Sequence, residues 1–167
     1  KSLLLRVRGT CVEHVRIDRN DVTLRGDDLG ATISGPDGAI DVIRVTGSRV
    51  AIESIRITGG RNGITADSAP GLMVRSAVVQ GTGRNGITYA HGASGVVDGS
   101  AVTGNARDGV AIESAAATVI NSQINQNGRM GVGVFNGGSG RIGVDNENNP
   151  AGNIISANAS NGIRIVF

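Results

Sequence analysis

The chain has 167 residues, with 16 Lys and Arg against 14 Asp and Glu, 27 Gly, two Phe, one Tyr and no Trp. A net charge of +2 provides no global field for nucleic acid, and no apolar run is long enough for a membrane-spanning helix. The single cysteine, Cys11, excludes an internal disulfide and is read as a small apolar residue in a core column.

In chain order, Leu5-Arg6-Val7 alternates as a short strand. Val22-Thr23-Leu24, Ala31-Thr32-Ile33 and Ile43-Arg44-Val45 follow, and residues 50–52, 55–57 and 64–66 repeat that set of three. Apolar residues alternate with Thr, Arg, Glu or Gln, which is the pattern of strands with one buried face. From residue 62 the repeat announces itself with Asn62-Gly63-Ile64-Thr65, then Asn85-Gly86-Ile87-Thr88, Asp108-Gly109-Val110-Ala111, Met130-Gly131-Val132-Gly133 and Asn161-Gly162-Ile163-Arg164. These glycines are spaced 23, 23, 22 and 31 apart. Further columns follow from the same register: Ile57/Val79/Val102/Ile124, Ile52/Val74/Val97/Val119 and Ala66/Tyr89/Ile112/Val134. A fixed period of this length means stacked units. The expected fold is all-β: a parallel β-helix over residues 1–167, with about seven coils of three short strands, stacked about 4.8 Å apart. Glycine after Asn or Asp is expected to supply a positive φ at a turn. A leucine-rich repeat fails for want of its L-x-x-L-x-L pattern, and a six-residue period is absent.

The long 31-residue interval places an inserted polar loop over residues 143–153. Asp145, Asn146, Glu147 and Asn148 carry oxygen ligands of the kind calcium takes, but the loop lacks the D-x-[DN]-x-[DN]-G pattern. No metal or other cofactor is therefore expected. The last residues, 163–167, stop in mid-strand, which raises two readings: a segment of a longer protein, or open ends that associate with one another.

Stacking turns repeat positions into columns. Arg84, Arg107 and Arg129 share one, with Arg61 close to it. At that spacing in water, each adjacent like-charge pair costs about 0.9 kcal/mol before screening. One reading is a ridge for an extended anion; the other is a solvated edge paired with nearby carboxylates. Asp67 and Glu113 share an outer column with Ala90 between them, about 9.6 Å apart, near the upper end of the separation used by inverting glycosidases. The paucity of aromatics argues against tight sugar stacking, and Phe135 is the ring expected to face outward. Thr65 and Thr88 stack, but Ala111 and Gly133 interrupt that column.

The residues 9–17, 21–26 and 30–35, together with the repeat, resemble the right-handed parallel β-helix region of the pectin-lyase-like superfamily, in particular bacterial secreted proteins. The resemblance covers nearly the whole chain. It implies a secreted or cell-surface location and a scaffold on which lyases, epimerases, hydrolases and non-catalytic adhesins are all built. Epimerases and lyases of that superfamily use a Tyr and a His as acid and base, which singles out Tyr89 and His91, with Arg84 and Arg107 on neighbouring coils placed to neutralise a uronate carboxylate. Tyr89 also falls in an inward column, where it reads as core filling beside Ala66. The epimerase D-P-H-E motif and the aspartate clusters of pectate lyases are missing. The resulting expectation is a module that binds or modifies an acidic polysaccharide, with a non-catalytic structural or adhesive segment as the alternative.

Overall fold

The computed structural model describes residues 1–166; Phe167 lies outside them. The first coil holds β1 (Leu3–Val7), β2 (Thr10–Val12) and β3 (Val15–Ile17), and the second β4 (Val22–Gly26), β5 (Thr32–Gly35) and β6 (Ile43–Val45). The third holds β7 (Ala51–Glu53), β8 (Arg56–Gly59) and β9 (Ile64–Asp67). The fourth holds β10 (Leu72–Arg75), β11 (Val78–Gln80) and β12 (Ile87–Ala90). The fifth holds β13 (Ser94–Asp98), β14 (Ala101–Thr103) and β15 (Val110–Glu113). The sixth holds β16 (Ala116–Ile120), β17 (Gln123–Asn125) and β18 (Val132–Phe135). The seventh holds β19 (Ser139–Ile142), β20 (Ile154–Ser156) and β21 (Ile163–Val166). First, second and third strands of successive coils pair in parallel into three seven-stranded sheets, making a right-handed solenoid with no helix among the described residues.

The register is the one the repeat implies. Leu24 pairs with Ile52, Ile33 with Ile57 and Ile43 with Ile64. Because side chains alternate across a strand, each pairing stacks like on like, and the inward columns of Ile, Val, Leu and Ala form one continuous core. Among the described residues, no buried side-chain polar atom lacks a partner.

The Asn-Gly glycines play a different part from the one expected. Gly63, Gly86, Gly109 and Gly131 do not have positive φ. They are small because the next coil passes close by. A Cβ at Gly86 would stand 2.5 Å from Val102 Cγ1 and 2.8 Å from the Gly109 carbonyl oxygen. The left-handed residues instead follow the strands directly. Ser54 and Ser76 turn the chain after β7 and β10, and Ser68, His91, Ser114 and Asn136 turn it after β9, β12, β15 and β18. One left-handed residue bends an extended chain sharply, and Ser, Asn and His accept that conformation at small cost.

Side-chain ladders hold the corners between coils. Asn105 donates from Nδ2 to Asn127 Oδ1 at 3.0 Å, and Asn127 donates likewise to Asn158 Oδ1 at 2.9 Å. Each side-chain carbonyl also accepts the backbone N–H of the coil before it. Between β19 and β20 the connection runs over eleven residues, 143–153, where β16 and β17 need two. This loop is closed by an antiparallel bridge between Val144 and Pro150, and Asp145 accepts from the backbone N–H groups of Glu147 and Asn149.

Candidate functional site

The site residues come together on the outer face of the third sheet, beside the corner that leads into it. At that corner the backbone N–H of Gly83 donates to the Gly60 carbonyl, that of Arg107 to Arg84 and that of Arg129 to Arg107. Arg61, Arg84, Arg107 and Arg129 therefore occupy one column on coils three to six. Their charges are not equivalent, and the difference lies one residue further along the chain. There a second column runs Asp41, Asn62, Asn85 and Asp108, linked by bonds from the Asn85 N–H to Asn62 Oδ1 and from the Asp108 N–H to Asn85 Oδ1. Each member stands one coil before an arginine of the first column.

Where the member is aspartate, the arginine is held. Arg61 donates to Asp41 at 3.0 Å through Nε, and Arg129 grips Asp108 through Nε at 2.7 Å and through a second nitrogen. Burial pushes the Asp41 carboxyl up, but the bonds from Arg61, Thr65 and Asn62 outweigh it and leave it below the usual carboxylate range. Where the member is asparagine, no carboxylate is supplied. Arg84 and Arg107 make no side-chain ion pair among the described residues. Of the four arginines expected to bind an anion, Arg61 and Arg129 are thus committed within the protein. Arg84 and Arg107, on adjacent coils, are not.

The opposite wall is built by the ends of β9, β12 and β15. Asp67 accepts from His91 Nδ1 at 2.8 Å and also pairs with Arg44 on β6. Hydrogen bonding from His91, with that from Arg44, holds the Asp67 carboxyl below the usual carboxylate range. Asp67 is therefore ionised at neutral pH, so Nδ1 of His91 carries a proton, and in the neutral imidazole Nε2 is the acceptor. His91 is three-quarters exposed, because the left-handed corner after β12 throws its side chain outward. Ala90 pairs with Asp67 on one side and Glu113 on the other, so the two carboxylates do share a column across Ala90. The floor between the walls is Thr65 and Thr88, and the whole encloses a cleft of about 310 Å³.

Tyr89 is not part of this site, and that expectation is corrected. Its side chain is fully buried between Ala66 and Ile112, and its hydroxyl donates to the Leu72 and Val96 carbonyls at 3.3 and 3.4 Å. Burial drives its pKa far upward, and the ring fills the space that Ala66 and Gly95 leave. A Cβ at Gly95 would stand 2.7 Å from Tyr89 Cε1.

A model of the right-handed β-helix region matches residues 11–149. The chain belongs to the right-handed β-helix family. Among solved structures, this β-helix is similar to the A-module of the mannuronan C-5 epimerase AlgE6 from Azotobacter vinelandii. That match has 13% identity and a TM-score of 0.38, covering 99% of this chain and 71% of that one. No curated protein matches the sequence.

The sheet pairing places the inserted loop of this β-helix away from the arginine cleft, against the outer face of the first sheet. Asn146 lines a hollow there with Val96 and Thr118. Arg141 ties the loop down through the Asp145 carbonyl and Asn148 Oδ1. The Asp145 carboxylate is occupied by Glu147 and Asn149 donors, and no group of three or more metal-ligating side chains occurs among the described residues.

The residues that the repeat did not single out are Asp41, Arg44, Asn62 and Asn85. Asn62 and Asn85 were visible only as turn formers. A signal was present for Asp108, which stands in the same column as Asn62 and Asn85 and differs from them by a charge.

Proposed function

We propose that the chain binds an acidic polysaccharide in the cleft of the third sheet, outside the cell or at its surface, and that His91 acts there as a proton acceptor. The observation that carries this is the pair of unmatched guanidiniums, Arg84 and Arg107. Two cations one coil apart in a folded protein repel each other, and here asparagine stands where the flanking coils supply a neutralising aspartate. A bound polyanion would supply the missing charge, with each charge-assisted bond contributing about 1.5–3 kcal/mol. Facing them, His91 presents Nε2 with its other nitrogen fixed by Asp67, which is the arrangement a general base needs. A uronate held by its carboxylate on the arginines brings a carbon-bound proton of lowered pKa toward that wall.

The test restores the missing carboxylate instead of removing an arginine. Asn85→Asp makes coil four like coil five, where Asp108 holds Arg129, and should capture Arg107 in an ion pair. Binding to alginate, polygalacturonate, hyaluronate and heparin is measured by calorimetry at low and moderate salt. The expected result is salt-sensitive binding to at least one polymer, weakened about tenfold or more by Asn85→Asp, with the melting temperature maintained. Equal binding by the variant would remove the arginine cleft from the proposal. Ultraviolet absorbance for unsaturated uronates and proton NMR for epimerised sugars then separate binding from chemistry, and His91→Ala should abolish chemistry while retaining binding.

A further inference from the structure

The cleft stops at coil five although the arginine column runs on to coil six. Its lining takes in Arg44 on coil two, Thr65 and Asp67 on coil three, Thr88 and His91 on coil four, and Arg107 and Glu113 on coil five. Nothing of coil six belongs to it. Three changes meet at that coil. In the cation column, Arg129 is tied to the fully buried Asp108. In the floor column, Thr65, Thr88 and Ala111 give way to Gly133. In the far wall, Asp67, Ala90 and Glu113 give way to Phe135.

The last two changes are coupled. The Phe135 ring reaches back along the strand and occupies the space a side chain at 133 would fill. A Cβ there would stand 2.5 Å from both Cε2 and Cζ of the ring and 3.3 Å from Met130 Sδ. The Arg129 guanidinium lies 5.4 Å from the ring centroid, within the range of a cation–π contact. Coil six therefore presents a phenyl ring, with its arginine already paired to Asp108, in line with the cleft. The other end is different in kind. The floor column continues from Thr65 to Arg44 and then to Arg16, which pair with Asp67 and Asp18 but keep half or more of their side chains exposed on the outer face. A chain of anions leaving the cleft in that direction meets exposed guanidinium donors, whereas one continuing over coil six meets a phenyl ring whose neighbouring guanidinium is already held by Asp108.

We infer that Phe135 closes the cleft at one end and makes it a site for the terminus of a polyanionic chain instead of its interior. This rests on the reading of the cleft as a polyanion site. The bound terminus abuts the Phe135 ring, the first anionic groups pair with Arg107 and Arg84, and the rest of the chain leaves over Arg44. Three coil steps separate coil two from coil five, about 14 Å along the axis, so a short oligomer fills the site.

The experiment compares alginate, polygalacturonate, hyaluronate and heparin, each intact and after partial hydrolysis to short oligomers, at equal total monosaccharide concentration. Calorimetry gives the number of binding sites per monosaccharide. For a terminus-binding site that number rises in proportion to chain ends, so a tenfold cut in chain length raises it about tenfold. In Phe135→Ala, sites within intact chains become available, and the ratio between hydrolysed and intact polymer falls toward one. Phe135 is partly exposed, and the melting temperature of the variant reports whether the coil is retained; the wild-type comparison stands without it. A site number that does not change with chain length overturns terminus binding while leaving polyanion binding intact. An unchanged ratio in a folded Phe135→Ala overturns the part given to Phe135. Failure of every intact and hydrolysed polymer to bind overturns both this inference and the polyanion reading beneath it.

Discussion

Asp67 shows how much of the site is set by single bonds. Its carboxyl lies below the usual 3.8 because His91 and then Arg44 bond its ionised form. A group with a depressed folded pKa contributes stability that is present above its unfolded value and lost as pH falls through the folded one. Asp67→Asn should therefore lower the melting temperature at pH 7, and the difference from wild type should shrink as pH falls below 3.8; a difference that does not shrink there would mean the loss is not electrostatic. Tyr89 makes the opposite case. Tyr89→Phe removes two long bonds from a buried ring and should cost about 1 kcal/mol while leaving any turnover intact, whereas loss of turnover would return Tyr89 to the chemistry. The alternation of apolar residues had already placed Tyr89 inward, and it was the family resemblance that drew it toward the active site. The columns of Arg84 and Arg107, and of Asp67 and Glu113, were legible from the period alone. The partners were not. Asp41 lies on a coil whose turn has no Asn-Gly signal, so its place in the Asn62 and Asn85 column cannot be read from spacing.

At the scale of the strand and its corner, the repeat identified the right residues and in one respect the wrong cause. The Asn-Gly pattern predicts positive φ at Gly86 and Gly109, whereas these glycines are small because the coils approach closely. The consequence for a substitution survives the change of reason. Gly86→Val must push against Val102 and the Gly109 carbonyl, and overpacking of this kind should cost about 3 kcal/mol or more, read from urea unfolding. A change at Gly104, which has φ +63 and open space around its Cβ position, should cost less because only conformation is at stake. The asparagine ladder gives a second check. Asn105→Ala removes the side-chain donor to the Val79 carbonyl and leaves the Thr82 N–H without its partner, at about 1–3 kcal/mol for the orphaned group. The ladder was hidden in the sequence because Asn105 and Asn127 look like any other turn residues until the coils are stacked.

Taken whole, the molecule is a stack in which charge sits at the corners and outer columns and the core is a single apolar thread. Asp18, Asp21, Asp27, Asp37, Asp41 and Asp67 all lie below their usual carboxylate range, each with an arginine or histidine among the causes. By the same sign, the stack should hold its melting temperature down to about pH 4 and lose it steeply below 3.8 as these groups are protonated; circular dichroism melts at pH 7, 4, 3 and 2 would show it. The column of Asp41, Asn62, Asn85 and Asp108 has a wider meaning. Asn85 and Asp108 are buried, and the choice between an amide and a carboxylate there decides whether a guanidinium on the surface is spoken for. The outward residue stays arginine on all four coils. If the cleft takes a polyanion as proposed, its footprint is written in an interior alphabet of two letters, one per coil. It can lengthen or shorten by a single atom's exchange, oxygen for nitrogen, at a position screened from the partner.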